Sequence, residues 1–232
     1  MKIFFYLIIF FFSFQAYAVS FKSRYEAQGM NMVLLSADID TVLTNDTYYI
    51  ETKAKSKGIL SLFIHPETIF QTQGRKTKSG LKVIDSVMKI KSGKEIEVIR
   101  QNFDKKTDFI DYQSVLVYLM KLSVPSNQKL FVSDGKRDMQ VDVMYQGKQV
   151  LSDVHQDLTG EADAYSVRIK ILSGKKKGWF FKRMQEEKKS PLWLYMKKNE
   201  KTGQNELVLS TFDTGILGRL YIIQKETEYE KN

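Results

Sequence analysis

The chain has 232 residues, 43% hydrophobic and 27% charged, with 36 Lys and Arg against 27 Asp and Glu, a net charge of +9 and a pI near 9.4. That is enough sequence for one domain with a sizeable core, and no stretch after the first residues reads as a membrane span or a low-complexity linker. With no cysteine, disulfides and thiol chemistry are excluded and packing alone must hold the fold.

Met1–Ala18 reads as a signal peptide. Lys2 supplies the positive start, Ile3–Phe12 is an apolar run too short to span a bilayer, and Ala16-Tyr17-Ala18 is the small-x-small pattern a signal peptidase accepts. Cleavage before Val19 leaves 19–232 as a single β-rich domain. A periplasmic location follows as the expectation, and it argues against nucleic acid as a partner despite the basic pI.

From Phe21 to Phe103 the sequence alternates. Val33, Leu35, Ala37, Ile39, Thr41 and Leu43 share one parity, with Ser36, Asp38 and Asp40 on the other, and Asn45-Asp46 turns the chain. Tyr48, Ile50, Thr52 and Ala54 line the next strand, and Gly58–Ile64 suggests a helical turn. Strands are expected at about Thr68–Thr77, Leu81–Lys91 and Lys94–Asn102, joined by Ser79-Gly80 and Ser92-Gly93 as in antiparallel hairpins.

The alternation stops at Asp111–Leu122 (DYQSVLVYLMKL), where Tyr112, Val115, Leu116, Leu119 and Met120 recur at helical spacing. Asp111 can cap the first turn and Pro125 prevents continuation, which predicts a short buried helix over 111–122; a buried strand is the competing reading. Strands resume at Lys129–Ser133 and Arg137–Tyr145 around the Asp134-Gly135 turn. They continue at Tyr165–Ile171, Pro191–Lys197, Glu206–Thr211 and Ile216–Ile223. About a dozen one-sided antiparallel strands must bury their dry faces together, as a single strongly curved sheet or incomplete barrel closed by the helix, or as a two-sheet sandwich.

Signals for catalysis are sparse. His65 precedes Pro66, and Asp153-x-His155-x-Asp157 would share one face if it lay on a strand, which keeps a metal-assisted hydrolase as an alternative. The blander reading is a polar loop between Gly147 and Gly160, with no fourth ligand nameable. No Ser sits in a nucleophile elbow, Asp38 and Asp40 lie on a wet face, and phosphate-loop and dinucleotide fingerprints are absent. No cofactor and no metal are therefore expected.

Charge is the uneven feature. Twelve basic and three acidic residues lie between Arg168 and Lys201. Within that stretch Lys175, Lys176 and Lys177 are followed by Trp179, Phe180, Lys182 and Arg183. Lysines beside aromatic rings suit an anionic lipid or envelope glycan surface, the cations meeting phosphate and the rings entering the interface. A solvated hairpin tip is the plain alternative.

The order of motifs resembles a family of exported proteobacterial proteins, domain of unknown function 3108. The resemblance rests on Tyr48–Gly58 (YYIETKAKSKG), on the Asp111–Met120 helix with Gln113-Ser114, on Val132–Gly147 (VSDGKRDMQVDVMYQG), and on Pro191–Leu220 with Gly215–Leu220 (GILGRL). It implies an extracytoplasmic antiparallel β protein with a curved concave side, and no catalytic residues. The Lys-rich 174–189 segment and Lys197-Lys198 depart from the family's pattern.

Two non-enzymatic readings follow. In the first, the concave side holds an apolar or lipid-like ligand, with Phe70, Met88, Met139, Tyr145 and Trp193 as candidate lining and the basic lobe facing an anionic surface. In the second, exposed sheet edges recruit envelope proteins as an assembly or scaffolding factor.

Overall fold

The structure is a computed structural model that describes residues 18–58, 61, 66–78, 80–101, 103, 108–174, 192–214 and 218–229. The first half contributes β1 (Val19–Gly29), β2 (Met32–Leu43), β3 (Thr47–Ser56), β4 (Pro66–Thr77), β5 (Gly80–Ser92) and β6 (Glu95–Gln101). The short β7 (Phe109–Ile110) leads into the helix α1 (Tyr112–Met120). The second half contributes β8 (Gln128–Ser133), β9 (Arg137–Val150), β10 (Glu161–Gly174), β11 (Leu192–Lys198), β12 (Asn205–Asp213) and β13 (Arg219–Tyr229).

All thirteen strands belong to one sheet, in the order β6-β5-β4-β3-β2-β1-β13-β12-β11-β10-β9-β8-β7. This excludes the two-sheet sandwich. The halves join where β1 pairs with β13, Phe21 lying opposite Tyr229. The sheet curls without closing, so β6 and β7 remain its two edges. Near this seam Lys136 reaches Glu97 at 2.8 Å.

The register defines one inward face, and most inward apolar residues of the second half are buried: Met139, Val141, Val143, Tyr165, Val167, Ile169, Leu194 and Met196. α1 fills the enclosed space. The predicted N-cap holds, because the Asp111 carboxylate accepts the Ser114 N–H at 2.8 Å. The helix ends with Lys121 as C-cap. Beyond it the Leu122 carbonyl accepts from Asn205 Nδ2 at 2.7 Å. The turns joining β2 to β3 and β11 to β12 lie at this helix end of the sheet, with Thr77 and Gly80; those joining β1 to β2, β5 to β6 and β8 to β9 lie at the far end, with Asp213 and Arg219.

Several expectations are revised. β1 occupies a stretch to which the alternation assigned no separate strand. Its turn uses Met30 and Asn31, both at positive φ (53° and 59°), in place of glycine. β9 runs on past Tyr145 to Val150, because Gly147, at φ 89°, lies where the pairing with β10 shifts and forms a bulge without ending the strand. The polar loop is consequently shorter than the Gly147–Gly160 spacing suggests. It begins with a 3-10 turn, Leu151–Asp153, that covers the convex side of the sheet. Leu151 packs there on Ala162, Ala164, Tyr195, Leu209 and Ile223 in a second, smaller core. The helical turn expected at Gly58–Ile64 lies, apart from Gly58 and Ser61, outside the described residues.

Candidate functional site

The N-terminus of α1 sits in a buried polar cluster. Asp111, Ser114 and Ser86 are fully buried, and Thr72 and Gln113 nearly so. These groups satisfy one another. Ser86 Oγ donates to Asp111 at 2.8 Å, and Thr72 Oγ1 bonds both Asp111 and Gln113. Gln113 Nε2 donates to Thr52 Oγ1 at 2.7 Å and to the Phe70 carbonyl at 3.0 Å, while the Tyr48 hydroxyl meets Ser114 Oγ at 2.8 Å. Burial, with the Asp111 charge as a lesser cause, raises the Tyr48 phenol well above its ordinary value. The network docks the helix on β3, β4 and β5, and its carboxylate takes the Ser114 N–H and the Ser86 hydroxyl and shares the single Thr72 proton with Gln113 Oε1.

Beyond this cluster, towards the far end, the inward face changes character. Along β2 the inward residues run from Leu43 and Thr41, 3% and 0% exposed, through half-buried Ile39 and Ala37 to Leu35 at 40%. On β3, Tyr48 and Ile50 are buried, while Thr52 and Ala54 are half-exposed. Thr68 on β4, Met88 and Ile90 on β5 and Ile99 on β6 extend the half-exposed wall by register, and Ile222 on β13 is 38% exposed. The helix therefore fills one end of the curved sheet and leaves a partly open apolar wall at the other.

The structure separates the sequence-derived candidates. Phe70 and Met139 are buried core, and Met88 and Tyr145 are half-exposed on the inward side. Trp193 is corrected: it stacks beside Tyr195 on the convex side and cannot line the concave wall. Lys175, Lys176, Lys177, Trp179, Phe180, Lys182 and Arg183 lie outside the described residues, as does His65.

β11 runs antiparallel to β10, so Lys197 and Lys198 lie a strand length from Gly174, at the helix end. There, with Lys201, they border a groove of about 460 Å³ that also includes Glu206. His155 packs edge-on against Tyr221 at 4.9 Å and is 4.0 Å from Asp157. Among the described residues no three His, Cys, Asp or Glu side chains form a group able to hold a metal ion, so Asp153, His155 and Asp157 do not converge. No helix among them is long and apolar enough to cross a membrane.

No protein-family model matches the sequence, so the resemblance to domain 3108 gains no support of that kind, and no curated protein matches it either. Two solved structures are similar in shape. A beta-barrel-like protein of domain of unknown function DUF1849 from Brucella abortus is 10% identical, covering 92% of this chain and 99% of its own, with a TM-score of 0.45. A DUF1329 family protein from Desulfovibrio piger is 10% identical, covering 93% and 87%, with a TM-score of 0.32. Both belong to domains of unknown function, and at these scores the likeness carries no functional inference.

Proposed function

We propose that this chain is a non-enzymatic periplasmic envelope protein that binds an apolar or lipid-like ligand on the far half of its concave wall. The supporting observation is the gradient along β2, from fully buried inward residues beside α1 to Leu35 at 40% exposure on the same face. A wall of Ile39, Ala54, Met88, Ile90 and Ile99 offers apolar surface whose burial by a ligand gains about 25 cal/mol per Å². The basic segment that includes Lys175–Arg183 follows in sequence from Gly174 and precedes Leu192, and both of these strand ends lie at the far end. In this reading it orients the mouth towards an anionic surface. The signal-like Met1–Ala18 supports export.

A native mass spectrum of protein purified from its own host tests the reading. A lipid-sized adduct on the wild type, depleted in Ile90→Glu, is expected; a clean unliganded mass for the wild type overturns it. Anionic liposome co-sedimentation that is unchanged when Lys175, Lys176 and Lys177 become Ser removes the surface-facing role of the basic segment.

A second reading has one observation in its favour. Among the described strands β6 is an edge of the sheet, with Ile96 and Val98 exposed at 64% and 57%, the geometry an assembly factor uses to add a partner strand. Cross-linking in cells from β6 separates the two: specific protein adducts favour assembly.

A further inference from the structure

Gln101 ends β6 opposite Ser86, whose hydroxyl donates to Asp111, so the Gln101 side chain faces the barrel interior. It is 4% exposed, yet among the described residues neither its Oε1 nor its Nε2 has a hydrogen-bond partner. The cluster one strand away leaves no such orphan: Asp111, Gln113, Ser114, Thr72, Ser86 and Tyr48 are all bonded. Burying an amide without partners is costly, and Leu or Met would fill nearly the same volume without that cost. The amide therefore has a use other than packing. It lies at the floor of the half-exposed apolar wall, in line with Ile99 on its own strand and beside Met88 and Ile90 on β5.

Building on the binding reading above, we propose that the ligand is a single-chain amphiphile with a neutral head group that both donates and accepts, such as an alcohol or primary amide. Its head bonds Gln101 and its tail lies along Ile99, Met88 and Ile90. An anionic head is disfavoured because Gln101 Oε1 needs a donor, which an ionised carboxylate or phosphate does not supply. The turn between β8 and β9 covers the amide, since a Cβ on Gly135 would lie 3.2 Å from Gln101 Cγ. The exposed Lys136–Glu97 ion pair, a contact of a kind worth at most about 1 kcal/mol, links that turn to β6.

The test measures affinities of the full mature chain for dodecanol, dodecanoate and methyl dodecyl ether by calorimetry, in wild type, Gln101→Leu and Gln101→Met. In wild type, dodecanol is expected to bind about tenfold tighter than the ether or dodecanoate. Both variants lose that preference while keeping the ether affinity, and circular dichroism confirms that they fold. If dodecanol binds the wild type and the preference survives in both variants, Gln101 does not contact the head group; the inference is overturned and the binding reading stands. If no dodecyl probe binds the wild type, both fall.

Discussion

Asp111 joins the helix to the sheet through a single side chain. Its carboxylate accepts the Ser114 N–H and the hydroxyls of Ser86 and Thr72, all buried. Replacing it by Ala removes the cap and strands the Ser114 N–H and the Ser86 hydroxyl, while Thr72 keeps Gln113 Oε1 as its acceptor, so Asp111→Ala is expected to cost about 3 kcal/mol in urea denaturation. Buried phenols set an alkaline limit. Burial, aided by Asp163 and Tyr145, pushes the Tyr165 phenol up to about 12, and burial also raises Tyr25, Tyr48, Tyr112 and Tyr229. A raised phenol keeps its proton in the folded state where the unfolded chain releases it. Its stabilising contribution is therefore complete below pH 10 and is lost as pH rises towards 12. Lys76 and Lys121, lowered by burial, act with the opposite sign but are fewer. The urea midpoint should fall across that window, with phenolate absorbance appearing partly in step with unfolding.

At the scale of elements, the contact of β3, β4 and α1 is the most constrained. Tyr48 lies over Gly74 and bonds Ser114, and a Cβ at position 74 would fall within the Tyr48 ring. Gly74→Ala should therefore destabilise by about 1–3 kcal/mol through overpacking. Adding Tyr48→Val, which makes room, should give a double variant less destabilised than the sum of the singles, and thermal melts of the four proteins check this. A helix of nine residues is too short to persist alone, so α1 owes its order to this docking.

For the whole molecule, the seam decides where stability is lowest. β6 is paired on one side only and is mostly exposed, whereas β9 and β10 form long ladders within the core. Hydrogen exchange should be fastest at β6 among the long strands and slowest in β9 and β10. Lys136→Ala, which removes the exposed ion pair near the seam, should change global stability by no more than about 0.5 kcal/mol, while speeding exchange around the Asp134-Gly135 turn.

Local physics made much of this legible beforehand. Alternation is a property of the strand itself, so Val33–Leu43 and Met139–Tyr145 could be read directly. Asp111 caps through its own backbone neighbours, and Asp134-Gly135 turns the chain within four residues. What needed the folded chain depends on contacts distant in sequence. Leu35 and Leu43 have the same side-chain chemistry and parity, yet Leu43 joins the main core and Leu35 is 40% exposed. Gly147 reads as a stop until its pairing with β10 shows a bulge. Gln101 looks like any polar residue at a strand end until curvature places Ser86 and Gly135 around it. The sequence by itself determined the strands, the capped helix and the one-sided pattern, because those follow from neighbours along the backbone. That one sheet curls without closing, which end the helix fills and that the Gln101 amide is buried without a partner among the described residues emerge only on folding, because they depend on β1 meeting β13 across almost the whole length of the chain.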